Sequence, residues 1–219
     1  MKLHLFSHLK ERVQSSVWMT VFFVLLFALV YWFQGSKTIA YIILSLFVLG
    51  CLSEWGYACF VAKTSKKYYV WGLGSIFIIL GALSFMKTFN TKGWSGWIVI
   101  VASSIFTDIF AYFFGSWLKG PKIFPRISPA KTYSGALGAL LMAPVCTMMV
   151  GDLLHHPITW MSASILSIFA QVGDFLESWA KRHLEIKDMG TWIKGHGGVI
   201  DRTDSWWMTA MGYGIEPWI

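Results

Sequence analysis

Residues 171–205 read QVGDFLESWAKRHLEIKDMGTWIKGHGGVIDRTDS, and the rest of the chain is understood from them. An apolar run passes here into Asp174, Glu177, Lys181, Arg182, Lys187, Asp188, His196, Asp201, Arg202 and Asp204, in a protein that is 56% hydrophobic. On a helix, Asp174, Glu177, Ser178 and Lys181 fall at i, i+3, i+4 and i+7 and share one face. An acid at the centre of a bilayer costs about 2.5–3.5 kcal/mol, and less near the interface. A bound cation offsets that cost. Glycines 195, 197 and 198 flank His196 and leave backbone amides able to approach a phosphate closely. Asp201 and Asp204 supply carboxylates from a second segment. Mg²⁺ favours that supply: a few carboxylate oxygens, some waters and the phosphates of a substrate. The stretch therefore reads as a site for a divalent ion and a phosphorylated substrate. A simple interfacial ion pair with Lys181 or Arg182 is the alternative for Asp174 or Glu177 alone. It does not cover the upstream acids, the HGG and the DRTD together.

Outward from this stretch the chain is apolar. It has 219 residues, of which 13% are charged and 17% aromatic, and its mean hydropathy is +0.57. A helix needs about 20 apolar residues to cross a bilayer. Runs at 17–33, 38–62, 69–86, 94–115, 135–154 and 158–179 meet or approach that length, and a shorter one follows Trp206. The expectation is an all-α, polytopic helical membrane protein of about seven transmembrane helices. It forms a single integral membrane domain, 1–219, with N-terminal spans in 1–107 and a catalytic half in 108–219. With the N-terminus inside, fifteen of the 18 Lys and Arg fall on the inner side, and only Lys37, Lys87 and Lys92 fall outside. That asymmetry places the charged stretch, at the ends of the C-terminal helices, on the cytoplasmic face. The net charge of +7 then points to lipid headgroups and phosphates, with no nucleic-acid partner. Cys51, Cys59 and Cys146 lie inside apolar runs and read as packing residues. The first run starts well in and is long, so it is expected to be a retained span, with no cleaved signal peptide.

Two further features carry chemistry. The loop 115–135 contains Pro121, Pro125 and Pro129, which exclude a continuous helix. It ends in Ser128-Pro129-Ala130-Lys131-Thr132, a cation and two hydroxyls just before a helix rich in small residues. Helix N-termini attract anions, so Lys131 reads as a phosphate contact or, more simply, as an inside anchor. Asp108 and Glu54 lie within apolar runs. Such acids are functional candidates, with helix-to-helix hydrogen bonding as the alternative. His155 and His156 fall on the outer side and read as loop residues.

At these positions the sequence resembles the phosphatidate cytidylyltransferase (CDP-diacylglycerol synthase) family of membrane enzymes. The family's C-terminal signature is matched by Ser178, Lys181-Arg182, Lys187-Asp188, Gly190, Ile193, His196-Gly197-Gly198, Asp201-Arg202 and Asp204, over 27 residues. Supporting pieces are Leu9-Lys10-Glu11-Arg12, Glu54-Trp55, the Asp108, Ala111, Tyr112, Gly115 series, and SPAKT. The chain departs from the pattern at Lys194, Ala130 and Ser134, and it is short for the family.

The resemblance implies transfer of a cytidylyl group from CTP to phosphatidate, giving CDP-diacylglycerol and diphosphate, in phospholipid biosynthesis. It implies Mg²⁺ as cofactor, with room for a second cation, and a bacterial inner membrane location with the site facing the cytoplasm. Catalytic residues are then expected to be Asp174, Lys181, Lys187, His196, Asp201 and Arg202. Ser128, Lys131, Thr132, Ser178 and Arg182 would bind substrate phosphates. Asp174, Asp201 and Asp204 would hold the metal, with Asp108, Glu177 and Asp188 in support. His196 would orient or contact phosphate; it is not needed as a base, because the lipid phosphate is already largely ionised near neutral pH. CTP, phosphatidate and the bilayer are the expected partners, and the small residues of 135–139 are compatible with a homodimer. The competing readings are CTP-dependent transfer to another lipid, as in a CDP-archaeol-type synthase or polyprenol kinase relative, and a non-enzymatic transporter or scaffold.

Overall fold

A computed structural model describes residues 36–192 and 197–215, together with Leu25, Ala28 and Trp32. The expected first span, 17–33, and His196, Lys194 and Ile193 therefore lie outside the described residues, the three isolated positions apart. Among the described residues five helices follow one another: α1 (Lys37–Val61), α2 (Lys67–Leu118), α3 (Tyr133–Leu153), α4 (Trp160–Leu184) and α5 (Ile200–Ile215). There is no strand element among the described residues; Lys122 and Thr132 form an isolated antiparallel bridge. The architecture is all-helical, and α1, α2 and α3 are long and apolar enough to cross a membrane.

The apolar residues sort by face in a way that suits lipid. α1 is capped by Ser36, whose hydroxyl accepts from the Ile39 amide. It turns Ala40, Leu44, Cys51, Glu54, Trp55 and Ala58 inward. Its outer face carries Ile42, Leu46, Leu49 and Phe60, all exposed. A helix that is apolar inside and out is suited to a hydrocarbon surround.

α2 has 52 residues, a length of about 78 Å at 1.5 Å per residue, far more than one bilayer. It is broken at Gly93, where φ 65° and ψ −155° demand a residue without Cβ. The chain folds back there. Trp97 Nε1 donates to the Phe85 carbonyl at 2.7 Å, and its ring meets Phe85 and Phe89 at 5.9 and 5.0 Å. In a straight helix Trp97 would be about 18 Å from Phe85 and about 12 Å from Phe89. The two arms of this hairpin coincide with the expected runs 69–86 and 94–115.

α3 begins at the Thr132 cap, which accepts from the Gly135 amide at 3.1 Å. A Cβ at Gly135 would strike the Ala111 carbonyl, so the small residues seat α3 directly on the second arm of α2. α4 continues past the expected end at 179 for a further turn, and Lys181, Arg182 and His183 occupy its last turn, where cations suit the helix dipole.

α5 differs most from expectation. It starts at Ile200, six residues before the apolar run, so the DRTD stretch is the first turn of a helix and not part of a loop. Thr203, Ser205, Trp206, Trp207, Thr209, Ala210 and Tyr213 of α5 are buried, packed among the other helices. Hydroxyl pairs stitch this core: Ser104 with Thr209 at 2.9 Å and Thr107 with Ser167 at 3.0 Å.

Candidate active site

Five elements meet around one cavity of about 350 Å³, with α3 bringing Gly135 and Ala136 to its wall. The second arm of α2 contributes Asp108 and Tyr112, and the 119–132 loop contributes Lys131. α4 contributes Gln171, Asp174 and Phe175, and α5 contributes Asp201, Arg202 and Asp204. The proline-broken loop returns along itself through the Lys122–Thr132 bridge, and this turns Lys131 inward. Its ammonium meets Asp174 at 2.5 Å and lies 4.1 Å from the centre of the Phe175 ring.

Three carboxylates converge beside it. Asp174, Glu177 and Asp204 each place an oxygen within 4.8 Å of the others. Two come from α4 at i and i+3, the third from the first turn of α5. At that distance an ionised pair repels by about 3–4 kcal/mol with an effective dielectric near 20. Glu177 Oε1 is buried without a hydrogen-bond partner. An all-oxygen, acidic donor set with an unsatisfied buried oxygen fits a hard divalent cation such as Mg²⁺.

Asp201 borders the same cavity in a different way. Its Oδ1 accepts from Lys181 Nζ at 3.0 Å. Its Oδ2 accepts from the Met189 and Gly198 amides, each at 2.8 Å. Lys181 also pairs with Glu177 at 2.5 Å, so it bridges the two acids. The converging trio thus contains Glu177, expected only in support, while both Asp201 oxygens are engaged by protein groups.

The remaining expected residues divide. Arg202 and Thr132 line the cavity, though the Thr132 hydroxyl is spent on capping α3. Ser128 is buried but outside the lining. Arg182 Nε donates to the Ile127 carbonyl at 3.1 Å, tying α4 to the loop, and Ser178 is half-buried outside the lining. Lys187 and Asp188 lie exposed on the segment after α4. Gln171 and Phe175 were not foreseen. Gln171 sits three residues before Asp174 on the same helical face, a signal that was available; Phe175 left none.

An all-helical chain with three helices long and apolar enough to cross a membrane, and with a cavity that joins carboxylates to lysine and arginine, has the character of a membrane protein built around a charged site. A family model described as "Cytidylyltransferase family" matches residues 3–215, and the chain belongs to that family. Relatives named phosphatidate cytidylyltransferase come from several bacteria. The protein of Rickettsia felis is 33% identical over 210 residues, 91% of this chain and 88% of its own. That of Brucella abortus biovar 1 (strain 9-941) is 42% identical over 126 residues, 56% of this chain. The match spans about half, 47%, of the Brucella protein's length. That of Bacillus subtilis is 41% identical over 103 residues, 45% of this chain and 38% of its own.

Proposed function

We propose that this chain transfers the cytidylyl group of CTP to phosphatidate at the inner face of a bacterial cell membrane. The observation that carries the reading is the Asp174–Glu177–Asp204 cluster, of which Asp174 and Asp204 line one cavity with Lys131 and Arg202, within a chain matched almost throughout by the family model. An oxygen of the lipid phosphate attacks the α-phosphorus of CTP. A new P–O bond forms as the bond from the α-phosphorus to the bridging oxygen breaks, and diphosphate leaves. Both reactants are anions, so the barrier is dominated by bringing them together and by charge on the leaving group.

Mg²⁺ would be held by Asp174, Glu177 and Asp204, and when bound it supplies charge neutralisation for the phosphates. Lys131 reaches the cavity from the loop and Arg202 from α5; both would take up phosphate oxygens, a role that suits the guanidinium fork of Arg202. Lys131 pairs with Asp174, and a phosphate or cation entering the cavity would compete for that pair. Lys181 keeps Glu177 and Asp201 in place. The wider reading is of seven crossings, with the segment 17–33 as the first, each arm of α2 counted once and α5 as the last. A pair of copies would have to pack through another face than the small residues of α3, because Gly135 and Gly138 are buried against the second arm of α2 and Ala139 is buried beside them.

The test is direct. Membranes bearing the protein are given labelled CTP and phosphatidate, and label is followed into a chloroform-soluble product with equimolar diphosphate. Labelling confined to an isoprenoid lipid phosphate acceptor, or none above control membranes, overturns the assignment.

A further inference from the structure

We propose that Glu54 on α1, outside the cavity lining, is a positioning residue that sets where α5 begins and so where Asp201, Arg202 and Asp204 stand. Glu54 is fully buried, at 0% exposure, and it is not part of the cavity lining. Its Oε2 accepts the amide of Ile200, 146 residues away, at 2.8 Å. Ile200 is the first residue of α5, and its N–H is among those that no intrahelical carbonyl can satisfy. A carboxylate at that end also suits the helix dipole.

The other oxygen explains two glycines. Glu54 Oε1 has no hydrogen-bond partner, and a Cβ at Gly190 or Gly198 would collide with the Glu54 carboxylate. The acid is wedged between the segment leaving α4 and the segment entering α5. Asp201 grips the same two segments from the other side, through the Met189 and Gly198 amides. From Asp201 the contact runs to Lys181 and on to Glu177 in the carboxylate cluster. Glu54 therefore acts on the site through α5 and Asp201 without touching it. A residue serving only to hold α1 in the bundle would not need to meet the first amide of α5 and both glycines at once.

The kinetic part of the test rests on the reaction proposed above; the exchange part does not. The full chain is purified in detergent as wild type, Glu54→Ala, Glu54→Gln, Gly190→Ala and the Glu54→Ala/Gly190→Ala pair. Backbone hydrogen exchange and cytidylyl transfer per folded molecule are measured on each. In Glu54→Ala, exchange should quicken within 186–205 while the other helices keep their protection. Its turnover should fall by roughly 10²-fold, the scale of an ångström-level misplacement, with a much smaller change in KM for CTP. Glu54→Gln keeps an acceptor for the Ile200 amide and should recover most of the turnover. Gly190→Ala leaves the acid in place but pushes its carboxylate aside, so it should reproduce the Glu54→Ala loss. The pair should be no worse than either single variant, because both act through one contact. Wild-type exchange across 186–205 in Glu54→Ala, undiminished turnover per folded molecule, or additive losses in the pair would each overturn the proposal. Quickened exchange in Glu54→Ala, in a protein whose wild type makes no lipid product, would sink the reaction and support the positioning.

Discussion

Asp174 and Asp201 are both acids at the rim of one cavity, yet their oxygens are used differently. Asp174 faces a single lysine and two other carboxylates, whereas Asp201 already accepts from Lys181 and two backbone amides. Substituting them should therefore give different signatures. Asp174→Asn and Asp204→Asn should lower turnover by roughly 10²-fold or more, as loss of transition-state charge stabilisation does, and should raise the Mg²⁺ concentration needed for half-maximal rate. Asp201→Asn should also lower turnover, but with an unchanged Mg²⁺ requirement and a lower melting temperature, because it loosens Lys181 and the 189–198 segment. A Mg²⁺ titration of the three variants checks this; a raised requirement in Asp201→Asn alone would return that residue to the metal. The acids and Lys131 were legible in the sequence because ionisable groups are rare in so apolar a chain. The engagement of Asp201 was not, since it depends on where Met189 and Gly198 pass in space.

At the scale of elements, the apolar runs foretold α1, α3 and both arms of α2, because lipid-facing helices need hydrophobic residues all round and leave long unbroken signals. The start of α5 was hidden: Asp201, Arg202, Thr203, Asp204 and Ser205 look like a loop until burial and the acceptor at Glu54 are known. The far end of α5 yields a prediction of its own. His156, in the turn between α3 and α4, lies 2.9 Å from the Tyr213 hydroxyl, and Lys92 sits 4.4 Å from the Tyr213 ring centre. Burial, and then the charge of Lys92, hold the His156 imidazole below its ordinary range. The folded protein thus binds that proton less readily than the unfolded chain, whose histidine titrates near about 6.5. Stability from this contact is complete above that pH and declines as the pH falls through it toward the lowered native value. Thermal unfolding in detergent between pH 7.5 and 5 should show the decline, and His156→Asn should remove it. An identical slope in wild type and variant would exclude His156 as its source.

For the whole molecule, the charge asymmetry and the fold make a joint statement about sidedness. α4 has 25 residues, about 37 Å at the helical rise, with the α3–α4 turn at its N-terminal end and the charged cavity toward its C-terminal end. Asp174 lies about 21 Å along the axis from Trp160, in the C-terminal half of a helix about as long as a bilayer is thick, and Lys181 and Arg182 stand at the end beyond it. Lysine and arginine crowd the C-terminal end of α4; on the proposed reading the positive-inside bias assigns that end to the cytoplasm, from which CTP would reach the cavity. Lys187 is exposed just past α4, and His155 is exposed in the opposite turn, so each reports one side without entering the cavity. A membrane-impermeant maleimide should label Lys187→Cys in inverted vesicles and not in intact spheroplasts. It should label His155→Cys in spheroplasts and not in inverted vesicles. The unmodified chain, with Cys51 and Cys59 buried and Cys146 half-buried, serves as the background for both. The opposite pattern would place the carboxylate cluster on the outer face, away from the nucleotide, and a cytidylyl transfer drawing on cytosolic CTP could not then occur in this cavity.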